Sequence, residues 1–475
     1  MLQFTAQLAA CSFPSVNSIG ELEHAILDRS GGYNGYVDLV ILIAIFGSSI
    51  LFGQGGHADF PAPLVGAPKD ATDLHDPITE LVRRIDQGKV KLEFDEERGY
   101  LPSILRELHI PLSSQMLVFS KTSLQHKYIN PQTPRAIFFN DNTYAGFVPD
   151  GSLMELSGVD PKRGAVFYTL DQSKGSKPRL VRNEDCVQCH ATPATLGVPG
   201  HLVRSVFTRT DGAVAMRAKS FLTDHRSPIE HRWGGWYITG TFERDLHMGN
   251  AFLRDADDPG SFDRKPGTAI KELGGRFHDD RYLSHHSDPV ALMVLEHQAY
   301  LHNLLARLQY DAGQQGAEEL ANIAASPLAA QIEEVLRYML FADEAPFKGK
   351  ITGSSKFASE FEVRGPRDSH GRSLRQFDLK TRMFRYPCSY LIYSQAMAAL
   401  PKHVKQRLYR RLAEILSAPG SGPGLLTPAL RQDIAGILLD THPDFAVVWR
   451  GLSLSANRVK VVPAANVQHP VRNSR

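Results

Sequence analysis

The chain has 475 residues, 42% of them hydrophobic and 22% charged, with 53 Lys and Arg against 51 Asp and Glu. That length exceeds one ordinary core and points to two or three domains, and the composition excludes collagen-like, coiled-coil and disordered chains. A net charge of +2 lacks the basic excess typical of nucleic-acid-binding proteins, so no nucleic-acid partner is expected.

Residues 39–52, LVILIAIFGSSILF, form an uncharged apolar run of signal-peptide core length, too short for the roughly 20 residues that span a bilayer. Gly56-His57-Ala58 places small residues where a leader peptidase reads them, so cleavage is expected before Asp59. The polar stretch ahead of the run, with Asp28, Arg29 and Asp38, is long for a signal head and points to a translation start downstream of Met1. Residues 1–58 are therefore read as an export signal, or as an anchor giving membrane association through 39–52, and the mature protein as periplasmic or otherwise outside the cytoplasm. Leu8-Ala9-Ala10-Cys11 has the look of a lipoprotein box but lacks a basic head and a long apolar stretch.

In residues 59–115, Asp76-Pro77 reads as an N-cap with proline at the first helical position, followed by the stripe Ile78, Leu81, Val82, Ile85. A second short helix is expected from Pro102 through Ile104, Leu105 and Leu108. The texture changes at about Met116. Segments 136–139, 164–170, 202–207 and 236–239 are short, rich in β-branched and aromatic residues and bounded by turn formers, so residues 116–255 are expected to hold a small antiparallel sheet. Thr210-Asp211-Gly212 has the pattern of a hairpin turn with glycine at positive φ.

Residues 256–284 are rich in turn residues and read as a linker. Beyond it, Asp288-Pro289, Ser326-Pro327 and Thr427-Pro428 each open a capped apolar-periodic segment, and Pro401 opens another with Val404, Leu408, Leu412 and Ile415. Residues 285–455 are thus expected to be a helical domain and 456–475 an irregular tail. The fold class is α+β: a central antiparallel-sheet domain followed by an all-helical C-terminal domain.

The chemistry-bearing motif is Cys186-Val187-Gln188-Cys189-His190, in a loop expected between strands. Two thiols three residues apart match the two vinyl edges of a haem, and the next residue can fold under the ring to give an imidazole nitrogen to iron. Random placement of 4 Cys and 19 His would produce this pentapeptide in about one such chain in a thousand. A thioredoxin-like dithiol needs a helix to lower its thiol pKa, but Pro193, Gly197, Pro199 and Gly200 follow at once. A structural zinc site needs a second ligand pair, and the other cysteines, Cys11 and Cys388, do not supply one. One covalent haem c on Cys186 and Cys189, with His190 on the iron, is the reading that fits.

Around the motif, the segments MLVFSKTSL (116–124), NDNTYAG (140–146), VDP (159–161), VFYTLD (166–171), GVPGHLVRS (197–205), WGGWYITG (233–240), HMGN (247–250) and SDPVALMVLEH (287–297) resemble a family of large bacterial monohaem cytochrome c domain-containing proteins. The resemblance covers most of residues 100–395 and implies a secreted haem protein without naming a reaction. Small soluble cytochromes c, by contrast, are helical and carry the motif near their start, so their fold is not transferred.

For the second axial position, His247 is the first candidate and Met248 the alternative, adjacent in a Gly-Asn-ended loop after the last expected strand; His225 and His201 are further options. Trp233 and Trp236 are read as porphyrin contacts or ordinary core. His285, His286, His297 and His302 could look like a metal cluster, but His297 and His302, five apart on a helix, diverge, and surface or interhelical packing is the expectation. The basic run Arg364, Arg367, Arg372, Arg375, Lys380, Arg382, Arg385 is expected to be a solvated face rather than a propionate or partner site. The functional expectation is an electron-transfer cytochrome with a redox partner protein in the cell envelope; the alternative is a haem enzyme or gas sensor with an open distal position.

Overall fold

The computed structural model describes residues 73–175, 177–255, 258–316, 323–418 and 426–459. The apolar run 39–52, the cleavage site before Asp59, Cys11 and residues 460–475 lie outside these. Two short helices come first, α1 (Pro77–Asp86) and α2 (Leu101–Glu107). Asp76 caps α1 as its sequence requires: one carboxylate oxygen accepts from the amides of Ile78 (2.9 Å) and Thr79 (3.2 Å), and the other accepts from the Tyr168 hydroxyl (2.7 Å).

Six strands follow: β1 (Met116–Val118), β2 (Arg135–Phe139), β3 (Thr143–Phe147), β4 (Leu153–Asp160), β5 (Gly164–Asp171) and β6 (Leu180–Arg182). They pair antiparallel in chain order, and β9 (Trp236–Tyr237) adds to the free edge of β1, giving a seven-stranded sheet in the order β6-β5-β4-β3-β2-β1-β9. Between β6 and β9 lie a four-residue helix, α3 (Val187–His190), and the two-stranded pair β7 (Arg204–Ser205) and β8 (Phe221–Leu222). The turn at Gly212 forms as expected, with φ +83° at the glycine and Thr208 bridged to Val214.

Strands β3 and β4 carry no simple alternation in sequence, because both faces of the sheet are covered and glycines sit where neighbours come close. A Cβ on Gly146 would meet the Arg135 guanidinium at 2.4 Å; the bare strand lets Arg135 cross it to reach Glu155. A Cβ on Gly158 would meet the Asp76 carboxylate at 2.4 Å.

One face, formed by Leu117, Phe138, Ala145, Leu156 and Tyr168, packs on α1 and α2. The segment 256–284, expected as a linker, buries Leu273, Phe277 and Tyr282 in that same core. The opposite face carries Met116, Phe139, Tyr144 and Val159, and is covered by α4 (Pro289–Gln314), whose 26 residues extend about 39 Å. Asp288 caps α4, and its first eleven residues are buried on every side, as an apolar helix in a protein interior must be.

The same core runs on into the C-terminal helices: α5 (Leu328–Met339), α6 (Phe357–Val363), α7 (Gln395–Ala399), α8 (Lys402–Ser417), α9 (Pro428–Thr441) and α10 (Pro443–Val459). This region is helical but not wholly so: β11 (Ile351–Gly353) pairs with β10 (Gly240–Phe242). All described residues belong to one compact unit, 63–475. Among the described residues no helix is long and apolar enough to cross a membrane.

The basic run is not uniformly a solvated face. Arg375 is buried, pairs with Asp141 through both guanidinium nitrogens and lies over the rings of Phe361 (4.6 Å) and Tyr390 (4.3 Å). The Asp76 cap joins α1 to β5 through Tyr168, so Asp76→Ala is expected to cost about 2–3 kcal/mol in urea unfolding. A change within about 0.5 kcal/mol would show that the cap does not hold this edge together.

Candidate functional site

The motif follows β6 directly. Asn183 accepts from the Asp185 amide, a 3-10 turn spans Glu184–Cys186, and α3 supplies one turn ending at His190. Cys186 is half-buried and Cys189 exposed, so both positions are reachable from solvent. Burial pushes the Cys186 thiol up to about 11, and the charges of Glu155 and Asp185 add to it. This is the opposite of an activated redox thiol, whose surroundings stabilise the thiolate.

His190 is held by a backbone carbonyl from the far end of the loop. Its Nδ1 lies 2.9 Å from the carbonyl oxygen of Gly200. A carbonyl only accepts, so Nδ1 carries the proton and Nε2 keeps the lone pair, the tautomer needed by a ligand that bonds metal through Nε2. The ring packs on Phe167 of β5 (4.9 Å between centroids). Burial holds it neutral below the usual imidazole range, opposed by the Gly200 bond.

Gly200 lies in a tightly fixed segment. The Pro199 carbonyl accepts from Ala165 at the start of β5 (2.9 Å), the Gly200 amide donates to His190 O (2.8 Å), and Asn303 of α4 clasps the His201 backbone. Its Oδ1 accepts from His201 N (3.0 Å) and its Nδ2 donates to His201 O (2.7 Å). The Asn303 carboxamide sits so close that a Cβ on Gly200 would fall 2.1 Å from its Oδ1. Thr195, which bonds Val198 O (2.9 Å), closes the intervening turn. Asn303 and Gly200 gave no sign in sequence beyond a polar residue inside an apolar helix and one glycine among several.

His201 lies against the same ring as His190. Its centroid is 5.8 Å from Phe167 and 4.1 Å from Tyr144, and its Nε2 is 2.8 Å from Ser157 Oγ. Its Nδ1 is buried without a hydrogen-bond partner. Burial holds this ring well below the usual imidazole range, and the nearby His190 and His302 add to the effect.

The other candidates are placed elsewhere. His247 is buried between Trp233 (5.4 Å) and Phe242 (4.5 Å), and its Nδ1 accepts from the Gly249 amide (3.0 Å), which puts the ring proton on Nε2. Met248 packs with Phe207, Leu253 and Phe262, its sulfur facing Ser205 Oγ at 3.6 Å. His225 is paired with His297 through their Nδ1 atoms (2.9 Å), and His297 Nε2 faces Ser389. His302 bonds Tyr144 through Nδ1 (3.3 Å), so His297 and His302 are buried packing residues. Trp233 and Trp236 are core: their Nε1 groups donate to Glu296 (3.1 Å) and to Arg204 O (2.8 Å). Glu296 also holds the buried Arg232 (3.1 Å). Glu296 and Asn303 stand seven residues apart on α4, about 10 Å along its axis, so Trp233 and the motif are anchored to different turns.

Among the described residues no group of three His, Cys, Asp or Glu side chains converges to chelate a bare metal ion. A porphyrin brings four nitrogens of its own and asks the protein only for thiols and an axial ligand. The residues fit that group: a fixed imidazole with an available Nε2, and two accessible cysteine positions on the preceding turn. Neither a known protein family, nor a curated protein, nor a solved structure matches this chain.

The buried histidines set the acid response. Burial holds His225 and His297 well below the usual range, His247 down to about 3 and His302 down to about 4. In the unfolded chain all four take up protons below about pH 6.5, so the stability they contribute is full above that pH and lost as pH falls, by about 1.4 kcal/mol per pH unit per proton. Glu296 and Glu344, pushed up to about 7 by burial, bind protons in the native state first and offset two of the four. His190, His201 and His442 are lowered in the same direction and add to the uptake on unfolding, so urea midpoints should fall between pH 7 and 5 with a net slope of at least about two protons; a flat or rising midpoint would contradict this assignment.

Proposed function

We propose that this chain is a c-type cytochrome of the cell envelope, carrying one haem on Cys186 and Cys189 with His190 as axial ligand, in keeping with the exported monohaem proteins it resembles. The observation that carries this reading is the His190 Nδ1 contact to Gly200 O, directly after two accessible cysteines at the spacing haem attachment requires. The bound haem iron supplies one-electron chemistry. The chain's own contribution is to hold: two thioethers fix the group, the Gly200 carbonyl fixes the imidazole tautomer and raises its basicity, and Phe167 fixes the ring's rotation. The raised thiol pKa of Cys186 and the single turn of α3 weigh against a dithiol oxidoreductase at this position.

A protein partner in the envelope is proposed as electron donor or acceptor, since the chain offers one centre and electrons must enter and leave it. Export through residues 39–52 belongs to the same reading, because covalent haem attachment in bacteria takes place outside the cytoplasm.

Made in a host with haem-attachment machinery, the protein should keep its haem through denaturing electrophoresis and heme staining, in the periplasmic or membrane fraction. Cys186→Ser with Cys189→Ser should lose the stain. An unstained wild-type band, or full-length haem-loaded protein recovered from the cytoplasm, would overturn the proposal.

A further inference from the structure

His201, half-buried with its Nδ1 turned inward, stands apart from the fully buried histidines near the motif. His247, through Gly249, and His302, through Tyr144, both accept at Nδ1 and so carry their proton on Nε2; Gln298 donates to the Tyr144 hydroxyl (2.8 Å), which leaves that hydroxyl's own proton for His302. His225 is tied to His297 through Nδ1, with its Nε2 likewise buried and unpartnered, and it lies against Tyr338 and Phe341 rather than Phe167. His201 faces the Ser157 hydroxyl through Nε2 (2.8 Å); when that hydroxyl accepts, the lone pair lies on Nδ1, buried with no donor to meet it, and among these rings His201 is the one that packs on Phe167 beside His190. A buried polar nitrogen without a partner is costly to fold, and it is the kind of atom that a ligand or metal accounts for.

The surroundings match those of His190. Each imidazole has one nitrogen held by an oxygen of the protein: the Gly200 carbonyl, which only accepts, for His190, and the Ser157 hydroxyl, which can accept or donate, for His201. Both rings lie against Phe167. His201 is also held by its backbone through the two bonds to Asn303 and by its face on Tyr144. Such outer-shell restraint is what positions metal-bound histidines. The segment between the two, residues 191–200, is closed by Thr195 and by the Gly200 amide returning to His190 O, so the spacing of the two rings is fixed by short-range bonds.

We propose that His201 is the second axial ligand, bonding iron through Nδ1, so that the proposed haem is held by two imidazoles. This rests on haem attachment at Cys186 and Cys189. It places the centre among six-coordinate, low-spin haems suited to electron transfer, and gives it a lower potential than a histidine–methionine centre, since methionine ligation raises the potential.

The test uses the full-length, haem-loaded protein and reads its optical and electron paramagnetic resonance spectra. The wild type should be low-spin, without the methionine–iron charge-transfer band and without carbon monoxide binding in the resting ferrous state. His201→Gly should become high-spin and bind carbon monoxide, and added imidazole should restore the low-spin spectrum, a rescue that a purely structural role for His201 would not give. His201→Met, which keeps a ligand, covers the case in which the glycine variant does not fold: it should stay low-spin with an upward shift in potential. A low-spin His201→Gly protein without added imidazole, a high-spin wild type, or a His201→Met protein with unchanged potential overturns the assignment. Absence of attached haem in the wild type instead overturns the cytochrome reading on which it rests.

Discussion

Everything at the motif depends on how residues 199–201 are tied down. That tripeptide is bonded to β5 through Pro199 O, to the motif through both the amide and the carbonyl of Gly200, and to α4 through the Asn303 clasp on His201. A sheet strand, a buried helix and the end of the Cys-x-x-Cys-His turn thus meet on three residues. The Gly200 carbonyl can hold His190 in one tautomer only because it is itself immobile, and it is immobile because α4, buried along its first three turns, cannot shift without opening the main core. The close fits at Gly164 and Gly200, where a Cβ would lie 2.6 Å from Pro199 O and 2.1 Å from Asn303 Oδ1, show how little room the arrangement has.

Electrostatics then separates the chemistries that two cysteines and a histidine could support. Dithiol exchange needs a thiolate near neutral pH; here burial, Glu155 and Asp185 all push the Cys186 thiol the other way. Axial ligation needs a neutral imidazole with a defined free nitrogen, and burial together with the Gly200 bond provides one. The segment that carries the Gly200 carbonyl is closed by backbone bonds and by the Asn303 and Thr195 side chains together.

Sequence alone placed the capped helix starts at Asp76-Pro77, Asp288-Pro289 and Thr427-Pro428, because N-cap and proline signals are local. It also found β2 and β5, whose apolar runs are strong, and the α+β class. It passed over β3 and β4, where Gly146 and Gly158 serve close approaches from Arg135 and Asp76, a cause that lies in tertiary contacts. The thiols and His190 were readable from spacing. Asn303 and Ser157 were not, since each acts on a residue far away in the chain, and one Asn in a 26-residue helix or one Ser in a strand carries no local signal. Nor does the chain order of basic residues tell that Arg375 turns inward to pair with Asp141. Adjacency in sequence offered His247 and Met248 as alternatives for one position; in the fold the histidine lies beside Trp233 and the methionine beside Phe262.

The most direct measurement is the mass of the tryptic peptide covering residues 183–204, which holds both cysteines, His190 and His201 and contains no internal Lys or Arg. From protein matured in a haem-attaching host, the peptide should be heavier by one haem, and neither cysteine should react with an alkylating reagent. The unmodified peptide, with two alkylatable thiols, would contradict the account.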